Sequence, residues 1–382
     1  MQIPSPVTGT DRNRGKTMKF TSRPAAALIG VAIAATTLSA CTEEAVGSDD
    51  TAAAGGGDAS TCEPADVTLV GQVRNESNPY EASWLDGGDA FAEQVGLTQE
   101  RLTYDGDSTR QQEQISQLFA GDTSCLVMNI LPNGDSDTPP IVEGAQDAGA
   151  YLVTQWNKPA DLAVTDYDSW LSHITYNGVE SGKQIGDALA EAIGGSGGIV
   201  ALQGILDTGA AKDRFAGLEE SLSANSDVEL LDDQTANFSR AEALEVTKTL
   251  LTKHGDDIKG IWAANDDMAL GALEALKQAG RTDVAVVGID AVPDALTAIE
   301  DGEMTATVSS DGPWQGGIGL AIGYCVATGE LAVEDIADED RAWYAEQFLI
   351  EKDNVGDFVS PETDESDFAC DNVFSRSQGP IS

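Results

Sequence analysis

Residues 261–290 read IWAANDDMALGALEALKQAGRTDVAVVGID, and this stretch decides the fold class. Ile261 to Ala264 is an apolar run that ends in Asn265, a residue type that caps a helix by accepting a backbone N–H with its side chain. Asp266 and Asp267 follow, where carboxylates complement the positive end of the helix dipole. Met268, Ala272, Leu273 and Leu276 recur at helical spacing, and Gly280 is the expected stop. Residues 284–289 are a second apolar run, suited to a parallel strand covered on both faces, and they end in Asp290. Ligands of open α/β sheets sit outside the carboxyl ends of the strands. Asn265 and Asp290 both occupy that rim.

The alternation extends in both directions. Upstream, residues 67–73, 101–104, 125–130 and 151–154 read as strands, with helical patterns at 79–94 and 109–119. Residues 170–176 cross to a second set: helix 179–193, strand 198–203, helix 211–223, strand 228–231 and helix 240–254. Beyond Asp290 come a helix near 294–300, a strand at 304–309, a helix at 312–328 and one strand over 342–350. Such alternation predicts parallel sheets with right-handed crossovers. Two successive sets predict an α/β protein of two doubly wound, parallel-sheet lobes.

The N-terminus reads as a targeting segment. Met18 to Arg23 is a basic start, residues 25–36 are apolar, and Leu38-Ser39-Ala40-Cys41 has the form of a lipobox. Residues 1–40 are therefore expected to be a signal peptide, and Cys41 the site of lipidation. Met1 to Thr17 carries no such pattern. Residues 41–61, rich in Ala, Gly, Ser, Thr and acids, read as a disordered tether. The expected location is the cell envelope outside the cytoplasmic membrane, with the lipid as the only membrane contact. The remaining chain is long enough for two lobes with cores of their own.

The chain carries 65 acidic and 21 basic residues, a net charge of −44. That surface repels nucleic acid and excludes it as a partner. After Cys41 four cysteines remain, Cys62, Cys125, Cys325 and Cys370, an even number that outside the cytoplasm predicts two disulfides. There is no CxxC, and the histidines are His173 and His254. A zinc site or a histidine-based triad is not expected, nor is any cofactor or metal. Gly194-Gly-Ser-Gly-Gly198 precedes a strand and lacks a following Lys-Ser/Thr, so it is a turn and not a phosphate loop. Gly317 and Gly319 open a helix without the rest of a dinucleotide fingerprint, which favours close helix packing. Asn133-Gly-Asp-Ser-Asp137 lacks the closing Glu of a calcium loop and reads as a polar turn.

Five segments carry a resemblance: Asn78-Pro-Tyr80, Ala201-Leu-Gln-Gly204, Ala210-Ala-Lys-Asp-Arg214, Asn265-Asp-Asp-Met-Ala-Leu-Gly271 and Val287-Gly-Ile-Asp290. In order and spacing the chain resembles the ribose-binding-protein-like periplasmic sugar-binding proteins of ABC importers, from Cys62 to about residue 350. The resemblance implies two lobes joined by three hinge crossovers, near Tyr176, Ser310 and Ala337, with the sugar bound between them. Lobe 1 would hold residues 62–175 and 311–337, lobe 2 residues 176–310 and 338–358, leaving 359–382 as a tail. In the strand order 2-1-3 expected for lobe 1, Cys62 and Cys125 begin neighbouring strands and are expected to pair, and Cys325 on a late helix is expected to pair with Cys370 on the tail.

The resemblance also implies a ligand set. Asn78 and Tyr80 match the polar and aromatic residues of the first loop. Arg214 matches an arginine that holds sugar oxygens, Phe238 a stacking aromatic, and Asn265 and Asp290 a hydrogen-bonding pair. Aromatic faces cover the C–H face of a sugar ring and planar polar groups bind its hydroxyls. Each residue also has a local reading. Asn78 caps a helix with Pro79 at its first position and Glu81 completing a capping box, Phe238 is a hydrophobic staple before the Ser239–Glu242 capping box, and Asn265 is a cap. Arg214 resists such an account, because a cation early in a helix opposes the dipole. Where ribose binders carry an acid and an arginine after the fourth strand, this chain has Gln155 and Trp156. Glu81 replaces a second aromatic, Ser310 replaces a glutamine, and Arg74 ends the first strand. These departures point away from ribose itself. Glu81 would add a hydroxyl acceptor, and Trp156 would add either a stacking face or hinge packing.

The expected function is a monomeric, non-enzymatic solute-binding protein that captures a monosaccharide or polyol and delivers it to an ABC permease with its ATPase subunits. The alternatives are a ligand-sensing receptor of the same fold, feeding a sensor kinase or reading an autoinducer, and a surface carbohydrate-active enzyme using two carboxylates. The lipobox makes its own prediction. Cys41→Ala should abolish metabolic lipid labelling and release the protein or leave its signal uncleaved; labelling that persists in the variant rules out Cys41 as the anchor.

Overall fold

A computed structural model describes residues 61–359 and 364–381. The expected signal segment, the expected lipidation site Cys41 and the expected tether as far as residue 60 lie outside the described residues. Among the described residues no helix is long and apolar enough to cross a membrane.

The first sheet is built from β1 (Thr68–Val73), α1 (Pro79–Gln94), β2 (Gln99–Thr103), α2 (Ser108–Phe119), β3 (Leu126–Ile130), α3 (Thr138–Ala148), β4 (Tyr151–Gln155) and β5 (Trp170–Thr175). The chain then passes to α4 (Gly178–Ala192), β6 (Gly197–Gln203), α5 (Gly209–Ala224), β7 (Val228–Thr235), α6 (Arg240–His254), β8 (Ile258–Ala263), α7 (Asp266–Ala279), β9 (Ala285–Val287), α8 (Pro293–Glu300) and β10 (Ala306–Val308). It closes with α9 (Gly312–Ala327), α10 (Asp338–Arg341), β11 (Ala342–Ala345), β12 (Leu349–Glu351) and β13 (Ser377–Pro380). The strand order is β13-β11-β5-β4-β3-β1-β2 in one sheet and β12-β10-β9-β8-β6-β7 in the other. All pairings are parallel except β13 on β11 and β12 on β10. The central strands β3 and β4 are buried almost throughout, as a parallel strand with helices on both faces must be.

Two expectations need correction. The apolar run 342–350 is two strands, not one. Trp343 is fully buried, donates its indole N–H to Ser172 Oγ at 2.9 Å, and holds β11 beside β5 in the first sheet. Residues 346–348 then cross, and Leu349–Glu351 joins β10 in the second. The third crossover therefore lies about nine residues beyond Ala337, and residues 338–345 belong to lobe 1. The polar pair Glu346-Gln347 inside the apolar run was the available signal. The segment expected as a C-terminal tail is, from residue 364 on, part of lobe 1. Phe368 and Val373 are buried, and β13 extends the first sheet.

Cys62 is bonded to Cys125, and Cys325 to Cys370. The first pair joins the lead-ins of the adjacent strands β1 and β3, and the second ties the C-terminal segment to α9. That segment also reaches the hinge. Arg376 spans Asp311 at 2.7 Å and Asp367 at 2.6 Å while its guanidinium covers the Trp314 ring at 5.0 Å. Asp311 lies at the second crossover and accepts the Tyr176 hydroxyl of the first on its backbone carbonyl at 3.4 Å. Glu346, in the third crossover, donates its N–H to Arg376 O at 3.0 Å.

Helices in each lobe meet through glycines. A Cβ on Gly87 would lie 1.8 Å from Pro313 O and one on Gly316 1.7 Å from Trp84 O, so α1 and α9 approach backbone to backbone. A Cβ on Gly319 would lie 2.2 Å from the Asn129 side chain of β3, so α9 also packs closely on the sheet, in line with the close helix packing read from the sequence. In lobe 2 a Cβ on Gly182 of α4 would lie 1.9 Å from Arg214 O of α5. The position of Arg214 is thus set partly by a missing methyl group. Gly182→Ala should lower stability by about 1–3 kcal/mol through overpacking. Gly356→Ala, whose Cβ would meet nothing within 4 Å, should be near neutral. Urea unfolding of both variants checks the contrast, and equal costs would mean that the contact is not strained.

Candidate ligand-binding site

The rim of each sheet contributes one wall of a cleft. From lobe 1, Asn78 caps α1 by accepting Tyr80 N–H at 3.0 Å. This fixes the start of α1 and turns Tyr80 and Glu81 toward the cleft. The Tyr80 hydroxyl donates to Gln315 Oε1 and accepts the Trp156 indole N–H at 2.9 Å. Glu81 accepts Asn75 N–H at 2.7 Å and stands 3.5 Å from the Arg74 guanidinium. Burial pushes its carboxyl above the usual range, against the pull of Arg74. Arg74 is held in turn by Asn133, through Oδ1 at 3.2 Å and the backbone carbonyl at 2.9 Å.

Trp156 and Gln155 take opposite directions at the end of β4. Gln155 turns into the core, donating to Asn129 Oδ1 at 3.0 Å and accepting from Gln315 at 2.7 Å. Trp156 adopts a φ of 65° and turns to the cleft. Its ring packs against Tyr176 of the first crossover, with centroids 5.4 Å apart, and carries the Arg214 guanidinium at 4.9 Å. Both readings of Trp156 thus describe one position, since it packs on the hinge and also faces the cleft. Ser310 is buried but does not line the cleft, and Gln315 of α9 is the residue that reaches Tyr80.

From lobe 2, Arg214 enters on the second turn of α5, only 3% exposed. It donates to Ala264 O at 2.6 Å and stands 3.5 Å from Asp290 Oδ1. Phe238, at a φ of 59°, places its ring over Gly204 and 5.9 Å from the guanidinium, so it is a cleft wall and not merely a staple. Asn265 caps α7, accepting Met268 N–H at 3.0 Å, and lines the cleft together with Asp290. Capping and lining the cleft coincide in this residue. Asp290 and Ala291 both have positive φ, 128° and 57°. Asp266 holds that bend: it accepts Val292 N–H at 3.1 Å and the Thr307 hydroxyl at 2.8 Å, and Thr307 in turn accepts Ala291 N–H at 3.2 Å.

All eight residues expected to form the site line one cleft of about 440 Å³ of empty space, part of it open to solvent. Arg74, Leu131, Asn157, Thr208 and Ala210 line it as well. Asn157 and Thr208 were missed, although each follows a strand end, the rim signal that singled out Asn265. The lobes touch across the mouth, in a closed arrangement. Asp135 of lobe 1 accepts Gly209 N–H at 3.2 Å and the Lys212 ammonium at 2.9 Å from lobe 2. The turn at 133–137 is thus the lobe 1 side of this contact.

The family model of the periplasmic binding protein domain matches residues 73–331. The chain belongs to the periplasmic binding protein family. Its members bind solutes and are not enzymes. This binding protein is 32% identical over 263 residues to the ribose import binding protein of Salmonella typhimurium, covering 69% of this chain and 86% of that protein. It is 30% identical over 278 residues to the xylitol-binding protein of Mycolicibacterium smegmatis, covering 73% and 77%. A solved structure of a twin-arginine translocation pathway signal protein from Burkholderia phytofirmans superposes with a TM-score of 0.79 at 36% identity, over 83% of this chain and 98% of that one. The two-lobed α/β fold of this binding protein is therefore the family's own.

The buried acids give the binding protein a pH signature. Burial, and then the charge of Asp290, raise the Asp266 carboxyl to about 8. Burial also raises Asp290, against the opposing pull of Arg214. An unfolded aspartate releases its proton near pH 4. The folded chain therefore binds more protons between about pH 4 and 8, and its stability falls as pH rises through that window. Urea unfolding should show lower stability at pH 8 than at pH 5, and Asp266→Asn should flatten the difference. Equal slopes in the two proteins would show that Asp266 is not the source.

Proposed function

We propose that this protein is an extracytoplasmic lipoprotein, anchored through Cys41, that captures an uncharged sugar or polyol between its lobes and delivers it to an ABC permease. The observation that carries the reading is the charge balance of the cleft. Its two guanidiniums, Arg74 and Arg214, each already face a carboxylate, Glu81 and Asp290. A charged ligand would leave one of these buried groups uncompensated, at high cost. A hydroxyl-rich neutral ligand matches the planar donors and acceptors, and the rings of Tyr80, Trp156 and Phe238 offer apolar faces beside them. The ribose- and xylitol-binding relatives support the same class. Opening and closing by hinge rotation would admit and enclose the ligand, and the closed form would be the one presented to the permease.

Thermal-shift screening of a soluble form beginning at Cys62, with D-ribose, xylitol, D-glucose and D-gluconate, tests the reading, because ligand binding to the folded state raises its melting temperature. A neutral compound should stabilise it and the sugar acid should not; preference for gluconate would overturn the charge argument. With the stabilising ligand, Asp290→Ala should weaken binding by about 1.5–3 kcal/mol, about tenfold to over a hundredfold. Calorimetry reads this directly, and full affinity in a folded Asp290→Ala protein would place the site elsewhere.

A further inference from the structure

We infer that Asn157 is a specificity-determining residue that reads one hydroxyl of the bound sugar or polyol, an inference that rests on the function proposed above. Asn157 lies two residues past β4, lines the cleft and is 2% exposed. Its Nδ2 donates to Pro132 O at 2.7 Å. A carbonyl oxygen only accepts, so this bond settles which end of the amide carries the nitrogen. Oδ1 is then directed away from Pro132, and it has no hydrogen-bond partner. The backbone of the residue is pinned as well. Its N–H donates to Gln155 O at 2.7 Å, and its carbonyl accepts the Thr138 hydroxyl at 2.7 Å. Asn157 cannot relax to find a donor elsewhere without breaking these bonds.

Buried polar atoms without partners are rare and call for an explanation. Among the described residues that line the cleft there are two such side-chain atoms, Asn157 Oδ1 and Arg214 Nε. One is an acceptor on lobe 1, the other a donor on lobe 2. Holding the loop of Pro132 requires only the Nδ2 end of Asn157 and leaves the unpaired oxygen in the cleft unexplained. A ligand that donates to Asn157 and accepts from Arg214 satisfies both atoms. Hydroxyl groups do both, whereas a carboxylate or a carbonyl brings no donor to Asn157. A ligand with hydrogen in place of that hydroxyl would leave the buried oxygen unpaired, which is the strongest basis for rejecting a near-identical compound.

The test is titration calorimetry of the full-length protein with D-ribose, xylitol and D-glucose, followed by the single-deoxy analogues of each compound that binds. Wild type and Asn157→Ala are compared throughout. One analogue should bind wild type about 10–100-fold more weakly than its parent. Asn157→Ala should bind that analogue and the parent within about threefold of each other, and keep wild-type discrimination at the other hydroxyls. Binding of a parent compound, with unchanged discrimination at every hydroxyl in the variant, overturns the role of Asn157 and leaves the proposed function standing. Binding of none of the three parents overturns the proposed function, and this inference with it. Should Asn157→Ala fail to fold, Asn157→Ser, which keeps a short donor near Pro132 O, carries the same comparison.

Discussion

A guanidinium placed out of water has to be neutralised where it sits, and the cleft is arranged around that requirement at Arg214. Its charge is met from three sides: the Ala264 carbonyl at the end of β8, the Asp290 carboxylate after β9, and the face of Trp156 from the other lobe. Each partner reaches the guanidinium only because another constraint holds it. Ala264 ends a strand locked in a parallel sheet. Asp290 sits in a bend of positive φ that Asp266 and Thr307 clamp through backbone N–H groups. Trp156 is turned out of its strand by a left-handed φ and tied to Tyr80. Removing any of these holds would leave a buried charge short of a partner, which costs more than an intact pair contributes.

The arginine also couples the lobes. Two of its partners belong to lobe 2 and the third to lobe 1, so the compensation is complete only when the cleft is closed. At the mouth, Asp135 adds a second link across the gap to Lys212 and the start of α5. At the back, the C-terminal segment binds the crossovers to one another. Arg376 engages Asp311, Asp311 accepts the Tyr176 hydroxyl, and Glu346 donates to Arg376. The disulfide to α9 fixes that segment on lobe 1. Hinge and mouth are thus set by different parts of the chain, and one arginine both lines the cleft and links the lobes.

Much of this was legible in the chain itself. The pattern over residues 261–290 specified strand, helix and strand, because burial on one stripe leaves a helical period and burial on both faces a short apolar run, and neither needs tertiary knowledge. Local chemistry was equally readable. Asn78, Asn265 and Ser239 are caps, and each accepts the N–H that its helix start leaves open. The six residues carried over by family resemblance, and the departures Glu81 and Trp156, do converge on one cleft, because strand ends and helix starts share the same rim of a parallel sheet. The anomaly of Arg214, a cation near the start of a helix, was a true sign of compensation from outside the helix.

What the sequence by itself determined, then, is what depends on neighbours along the chain: the elements, their caps, and which residues stand at the carboxyl ends of strands. What only the tertiary structure decided is what depends on partners far apart in the chain. The third crossover moved because a buried tryptophan, Trp343, satisfies its indole N–H on a strand 171 residues away and thereby claims β11 for the first sheet. Beyond the disulfide that the sequence predicted, the segment from residue 364 on joined lobe 1 through an added strand and an arginine that bridges two carboxylates. Asn157 carried only the rim signal of its place after β4, and an asparagine there is ordinarily a turn residue. It stands out only in the fold, where Pro132 O takes its nitrogen and its oxygen is left without a partner in a residue that lines the cleft. Whether a polar atom is satisfied is a property of its surroundings, and those exist only in the fold.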